Sequence, residues 1–171
     1  MLFKAVRCFL MSTLCLSACS DKHPIVIEPG KFSEDWPTAL RKELLETNKC
    51  AADEINNIRT SQQQAFVFKS GDTLEISGWI FSKSDGSPAE VYVQLVGPAL
   101  TYTALAQKRT ARADVNQYFK LDPSWDTGYE LQATQSAEAG EYKLEVLQPG
   151  PHGIAQCRTN LSLKIEPRTE R

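Results

Sequence analysis

Six runs of this chain alternate apolar and polar residues with a period of two, and a chain so patterned buries one face of a strand rather than one stripe of a helix. Phe66 and Phe68 flank Val67, Leu74 and Ile76 alternate with Glu75 and Ser77, and Val91, Val93 and Leu95 alternate with Tyr92 and Gln94. The same period recurs at Tyr129, Leu131 and Ala133, at Tyr142, Leu144 and Val146, and at Leu161, Leu163 and Ile165. Turn signals separate the runs: Ser70-Gly71-Asp72, Asp85-Gly86-Ser87-Pro88, Gly97-Pro98, Ala139-Gly140 and Pro149-Gly150-Pro151-His152-Gly153. Short strands at regular spacing, with no long helix between them, predict two sheets packed face to face over residues 48–167.

The longest run, residues 71–81, is entered by a Gly-Asp turn and left by a polar loop, and the other strands are expected to be laid against it. Its parity is broken. Leu74 and Ile76 point one way while Trp79 and Phe81 point the other, so a bulge at Gly78 would bring both sets inside and make Trp79 a core residue. The expected fold class is all-β: an immunoglobulin-like two-sheet sandwich with one short N-terminal helix.

The first 18 residues carry Lys4 and Arg7, an apolar run through Leu16 that is too short to span a bilayer, and the small pair Ser17-Ala18. That is the pattern of an export signal. At Leu16-Ser17-Ala18-Cys19 the sequence resembles the lipobox of bacterial lipoproteins. The resemblance implies that Cys19 is lipidated and becomes the new N-terminus, and that Ser20, standing where aspartate favours inner-membrane retention, directs the protein to the outer membrane. Three acyl chains at about 0.8 kcal/mol per buried methylene would make that anchor permanent.

On this reading the five cysteines resolve: Cys8 and Cys15 leave with the signal and Cys19 is acylated, so Cys50 and Cys157 remain. In an oxidising compartment the two read as one disulfide, and no basic or His-rich setting recommends them as reactive thiols. Closing so long a loop stabilises by roughly 4–5 kcal/mol on chain-entropy grounds. The formal charge of −2 comes from 19 basic and 21 acidic residues, and removal of Lys4 and Arg7 takes it to −4. So acidic a balance argues against nucleic acid as a partner.

Residues 19–33, with two prolines, a glycine and mixed charge, read as a tether. Over residues 34–47 a helix is expected: Asp35 can cap it, Pro37 suits its first turn, and Trp36, Leu40 and Leu44 recur at four-residue spacing. Residues 168–171 form a tail.

Residues 106–126 are the least regular section, and long irregular insertions in small domains are often functional because a rigid scaffold positions them. Asp114 to Tyr118 reads there as a single helical turn capped by Asp114. The chemistry of catalysis is poorly represented. His23 lies in the tether and His152 in a Pro/Gly turn, no His/Asp/Glu cluster has ligand spacing for a metal, and no phosphate-binding glycine loop is present. Asp114, Asp122 and Asp126 share the irregular section, but solvated loop acids are commoner than catalytic pairs. Binding asks for less. Aromatic rings that stack on sugars, beside Arg and Asp that bond hydroxyls, suffice, and Tyr102, Arg112, Asp114, Tyr118 and Trp125 are the candidates. Against that stands the plainer expectation that Tyr118 and Trp125 plug the end of the sandwich and Arg112 pairs with Asp114.

The order of Cys50, Ile55-Asn56, the run from Gly71 to Trp79, Val91-Tyr92-Val93, Arg112-Ala113-Asp114-Val115, Gly128-Tyr129 and Ala139-Gly140-Glu141-Tyr142 resembles a small β-sandwich module of bacterial envelope proteins. Such modules are also appended to glycosyltransferase-like membrane proteins. The family commonly has proline between the arginine and the aspartate, where this chain has Ala113. The resemblance implies an accessory module without catalytic residues or a cofactor. The expectation is therefore a non-catalytic outer-membrane lipoprotein, periplasmic or surface-facing, that contacts envelope glycans. The alternative is a protein-interaction component of an envelope assembly, using the expected helix or a strand edge.

Overall fold

A computed structural model describes residues 27–82 and 90–168. The signal segment, Cys19, most of the tether and the Asp85 turn lie outside the described residues. Among the described residues the strands are β1 (Leu44–Glu46), β2 (Cys50–Ile55), β3 (Ile58–Arg59), β4 (Ala65–Lys69), β5 (Thr73–Ile80), β6 (Tyr92–Val96), β7 (Thr101–Leu105), β8 (Lys108–Thr110), β9 (Gly128–Thr134), β10 (Gly140–Pro149) and β11 (Ile154–Glu166), with one α-helix, α1 (Ala113–Phe119). They form two sheets. The first has the order β3-β2-β5-β9-β8, and the second the order β1-β11-β10-β6-β7, with β4 added in parallel beside β11.

The alternating runs are the inward rows. Leu74, Ile76 and Ile80 of β5, Leu131 and Ala133 of β9, Val93 and Leu95 of β6, Leu144 and Val146 of β10, and Leu163 and Ile165 of β11 make one core between the sheets. On β4 the alternation is equally plain, with Phe66 buried and Val67 60% exposed. Cys50 at the start of β2 is bonded to Cys157 of β11, Cα to Cα 6.1 Å, so the disulfide joins one sheet to the other across 107 residues of chain.

Gly78 is not a bulge. β5 pairs with β9 in unbroken register from Thr73 to Trp79, and the extra residue sits on the partner strand, between Ala52 and Glu54 of β2. Gly78 therefore stays in the inward row, where a Cβ would meet the Ala51 carbonyl at 2.1 Å and the Tyr129 hydroxyl at 2.7 Å. The glycine makes room for Tyr129, whose hydroxyl donates to Ala51 O at 3.3 Å. Trp79 faces outward and is only half-buried, which corrects its assignment to the core.

The N-terminal helix expected over residues 34–47 is also absent. A single 3-10 turn, Thr38–Leu40, follows Pro37, and Leu44 to Glu46 become strand because the edge of β11 offers them backbone partners in parallel register. Residues 27–46 instead belt the sandwich. Lys31 bridges to Thr134 at the rim of the first sheet, Ser33 bridges to Thr103 on the edge of the second, and Phe32 between them enters the core at 2% exposure. Beyond that crossing, Trp36, Ala39 and Leu40 pack with Tyr92, Leu147 and Ile154 in a second apolar cluster that also includes Ile27. Trp36 is fixed by its indole N–H, which donates to Leu40 O at 2.6 Å. The C-terminal part of the expected tether, from residue 27, is thus packed on the domain.

Candidate functional site

From Trp36 to Leu40 the belt lies against the second sheet, so the open sheet face is the outer side of the first, and the irregular section folds onto one end of it. Arg109 of β8 pairs in register with Tyr129 of β9 and so turns inward with it, donating to Asp126 O. Its Nε and Nη1 are buried without a hydrogen-bond partner. Loss of water pushes the guanidinium down to about 10, against the opposing pull of Asp126. Helix α1 follows, with Arg112 at its N-cap. Asp114 lies in the first turn and not at the cap, where it suits the positive end of the helix. Lys120 ends the helix in the left-handed conformation, φ 54°, and its N–H returns to Asn116 O and Gln117 O.

The helix is held from beneath by Asn116, which is 2% exposed. Its Nδ2 donates to Trp125 O at 2.8 Å, and its Oδ1 accepts from the Thr127 hydroxyl at 2.8 Å. Phe119 then seats the helix on the sheet. Its ring lies 5.5 Å from Trp79 and 4.9 Å from Phe81, and Trp79 and Phe81 stack at 6.0 Å. The next ring, Tyr118, meets Phe119 edge-on at 4.8 Å and is 80% exposed.

Arg112 crosses the sheet at Gly128, where a Cβ would lie 2.8 Å from its Cγ; glycine is needed there for that close approach. Its Nη1 donates to Asp53 at 2.6 Å, and its Nε and Nη2 donate to the two oxygens of Asp114 at 2.9 and 2.8 Å. The bulge of β2 and the N-terminus of α1 are thereby tied together. The Arg112 bonds hold Asp114 down to about 2, with the helix amides helping. Its folded pKa is depressed, so the stability it confers is full above the unfolded value near 3.9 and is lost as pH falls toward about 2. With the Asp114 side chain 68% exposed, solvent screening keeps that contribution below about 1 kcal/mol. Asp114→Asn is expected to remove this share of the acid dependence between pH 4 and 2, measured as urea midpoints against pH, and leave the neutral midpoint lower by a similar amount.

From Arg112 two adjoining hollows run along the sheet and share Glu54 and Ser77. The larger, of about 670 Å3, is walled by outward side chains of β2, β5, β8 and β9, with Pro29 and Gly30 of the belt at its rim. Among its polar residues, Lys108 bonds both oxygens of Glu130 at 3.0 Å, and the Gln132 amide donates to Glu75 at 3.1 Å.

Of the five binding residues expected from sequence, Arg112 and Asp114 are paired at the N-terminus of α1, and Tyr118 lies one helical turn after Asp114 without lining either hollow. The plainer expectation of an Arg112–Asp114 pair is also met. Trp125 is half-buried in the loop behind the helix. Tyr102 does not belong to the group: it lies on β7 at 1% exposure, packs edge-on against Tyr142 at 5.9 Å, and accepts a hydrogen bond from the Glu138 N–H. Its alternation with Ala104, which is also buried, was the signal for a core residue. Sequence reasoning missed Asp53, Trp79 and Phe119, and the regular parity of β5 was the available clue to Trp79. Of the other loop acids, Asp122 is occupied locally: it accepts from the Ser124 amide and hydroxyl at 2.8 and 2.7 Å, which lowers its pKa.

Among the described residues no three His, Cys, Asp or Glu side chains group as a metal site, and no helix is long and apolar enough to cross a membrane. Compared with models of known protein families and with curated proteins, the chain matches none.

Proposed function

We propose that this protein is an outer-membrane lipoprotein, anchored through Cys19, whose sandwich is a non-catalytic module that contacts envelope glycans through α1 and the outer face of the first sheet. The strand order supports an immunoglobulin-like reading: β2-β5-β9-β8 packs on β11-β10-β6-β7, and β4 joins β11 in parallel. The disulfide then departs from the usual central pair of strands and clasps β2 to β11.

The observation that carries the reading is Tyr118. An exposed aromatic ring fixed on a rigid support loses little entropy on contact, and its face is suited to stacking on a sugar ring. Phe119 seated on Trp79 and Phe81 supplies the support, and the Arg112–Asp114 pair at the other end of α1 presents charged hydrogen-bonding groups. The test is retention of the full chain, in detergent, on immobilised envelope polysaccharides. Tyr118→Ala is expected to lower affinity at least tenfold while shifting the urea midpoint by no more than the equivalent of about 0.5 kcal/mol, as for an exposed side chain. Equal retention of the variant would remove the site from α1.

A second reading, contact with an envelope protein, has one observation in its favour. Leu44 and Leu45 of the edge strand β1 are 42% and 44% exposed, as an edge that accepts an added strand would be. Capture of a defined envelope protein that is lost in Leu44→Lys, with no retention on polysaccharide, would favour it.

A further inference from the structure

The charges on the open face define which glycans it can take. We infer that this face binds a short run of an uncharged, hydroxyl-rich glycan chain and turns anionic polymers away. The inference rests on the glycan-binding reading above and adds the class of ligand.

The two hollows are continuous through Glu54 and Ser77, so the open surface runs from Arg112 to Gln132 as a groove rather than a closed pocket. From Lys108 across Glu130 and Ser77 to Glu54, in register on four adjacent strands, the lining covers about 14 Å at the usual spacing between strands. That length suits several sugar rings in a row and not a single one.

Every cation named along this surface is already engaged. Lys108 is held by both oxygens of Glu130, Arg59 lies 3.9 Å from Glu54, and Arg112 is shared between Asp53 and Asp114. Three cations against the five carboxylates Asp53, Glu54, Glu75, Asp114 and Glu130 leave a net charge of −2. A sulfated, phosphorylated or uronic polymer would have to break one of these pairs and then approach the surplus carboxylates, at a cost that low salt increases. A sugar hydroxyl meets the opposite situation. Paired carboxylates keep free lone pairs that accept from it, and the Gln132 amide and the Ser77 hydroxyl can both donate and accept.

The experiment measures binding of the full chain, in detergent, to an oligosaccharide panel. The panel contains neutral hexamers (N-acetylchitohexaose, cellohexaose and maltohexaose) and an anionic hexamer, hexagalacturonate, at 20 and 150 mM NaCl. The expected result is saturable binding of a neutral hexamer that changes less than threefold between the two salts, is weakened at least tenfold by Tyr118→Ala, and has no hexagalacturonate counterpart. The charge reversal Glu75→Lys, at an exposed position, is then expected to create hexagalacturonate binding that salt suppresses. Hexagalacturonate binding to the unaltered protein as tight as that of the best neutral hexamer would overturn the inference and leave the glycan-binding reading standing. Binding of no panel member would overturn both.

Discussion

Replacing Cys50 and Cys157 together by alanine is expected to lower the unfolding free energy by about 3–5 kcal/mol. The bond joins β2 of one sheet to β11 of the other across 107 residues, so its removal restores most of the loop entropy that the unfolded chain otherwise lacks. A loop of that length corresponds to about 4.7 kcal/mol on chain-entropy grounds. Cys157 is also 2% exposed in the core, so alanine there leaves a small void as well. For a domain of this size the loss corresponds to a fall in Tm of roughly 10–15 °C. Urea denaturation of the variant beside the parent measures it. Coincident curves would mean that the packed sheets alone set the stability.

The second large effect is expected at Phe32→Ala, about 3–5 kcal/mol, even though this residue belongs to neither sheet. Its ring is 2% exposed and is inserted between the rims that Lys31 and Ser33 bridge. Truncation removes the ring from the core and also loosens the crossing. Ser33 exchanges two backbone hydrogen bonds with Thr103, at 2.9 and 2.7 Å, and these close the exposed edge of β7. Amide exchange at Thr103 should therefore accelerate more than exchange at Leu95 in the same sheet. A loss under about 1 kcal/mol, with Thr103 as protected as before, would show the belt to be a passenger on a self-sufficient sandwich.

The inward rows were legible in the sequence because strand alternation is local and each run met a partner of matching parity. The disulfide was legible by elimination, on the expectation from the lipobox resemblance that three of the five cysteines are spoken for. The belt was not. Trp36, Leu40 and Leu44 have helical spacing, yet Leu40 is buried against Tyr92, Leu147 and Ile154, while Leu44 pairs with the far edge of that sheet and stays 42% exposed. Distant strands decided between helix and belt, and no window of the sequence contains them. The bulge failed for a related reason. An extra residue in a pair of strands can lie on either one, and the Gly78 reading placed on β5 what β2 carries at Asp53. That displacement matters for the candidate site, because Trp79 faces the open surface and the bulged Asp53 meets Arg112. Tyr118 could be named from sequence as an aromatic in an irregular section, but its exposure follows from Phe119, one residue on, being the ring that turns toward the sheet.

The arrangement of belt and disulfide also sets how the molecule answers mechanical tension. A pull applied at Ile27 against a ligand held on the first sheet would load the bridges at Lys31 and Ser33 one after another, as a zipper is loaded, and then the short strand β1. It would reach the Cys50–Cys157 bond only after residues 27–49 had been paid out, at most about 75 Å of slack. Beyond that point tension enters at Cys50, directly into β2 of the first sheet and through the bond to Cys157 into β11 of the second, so both sheets share the load. The N-terminal segment is thus an extensible leash whose stop is the corner where the disulfide clasps the two sheets together.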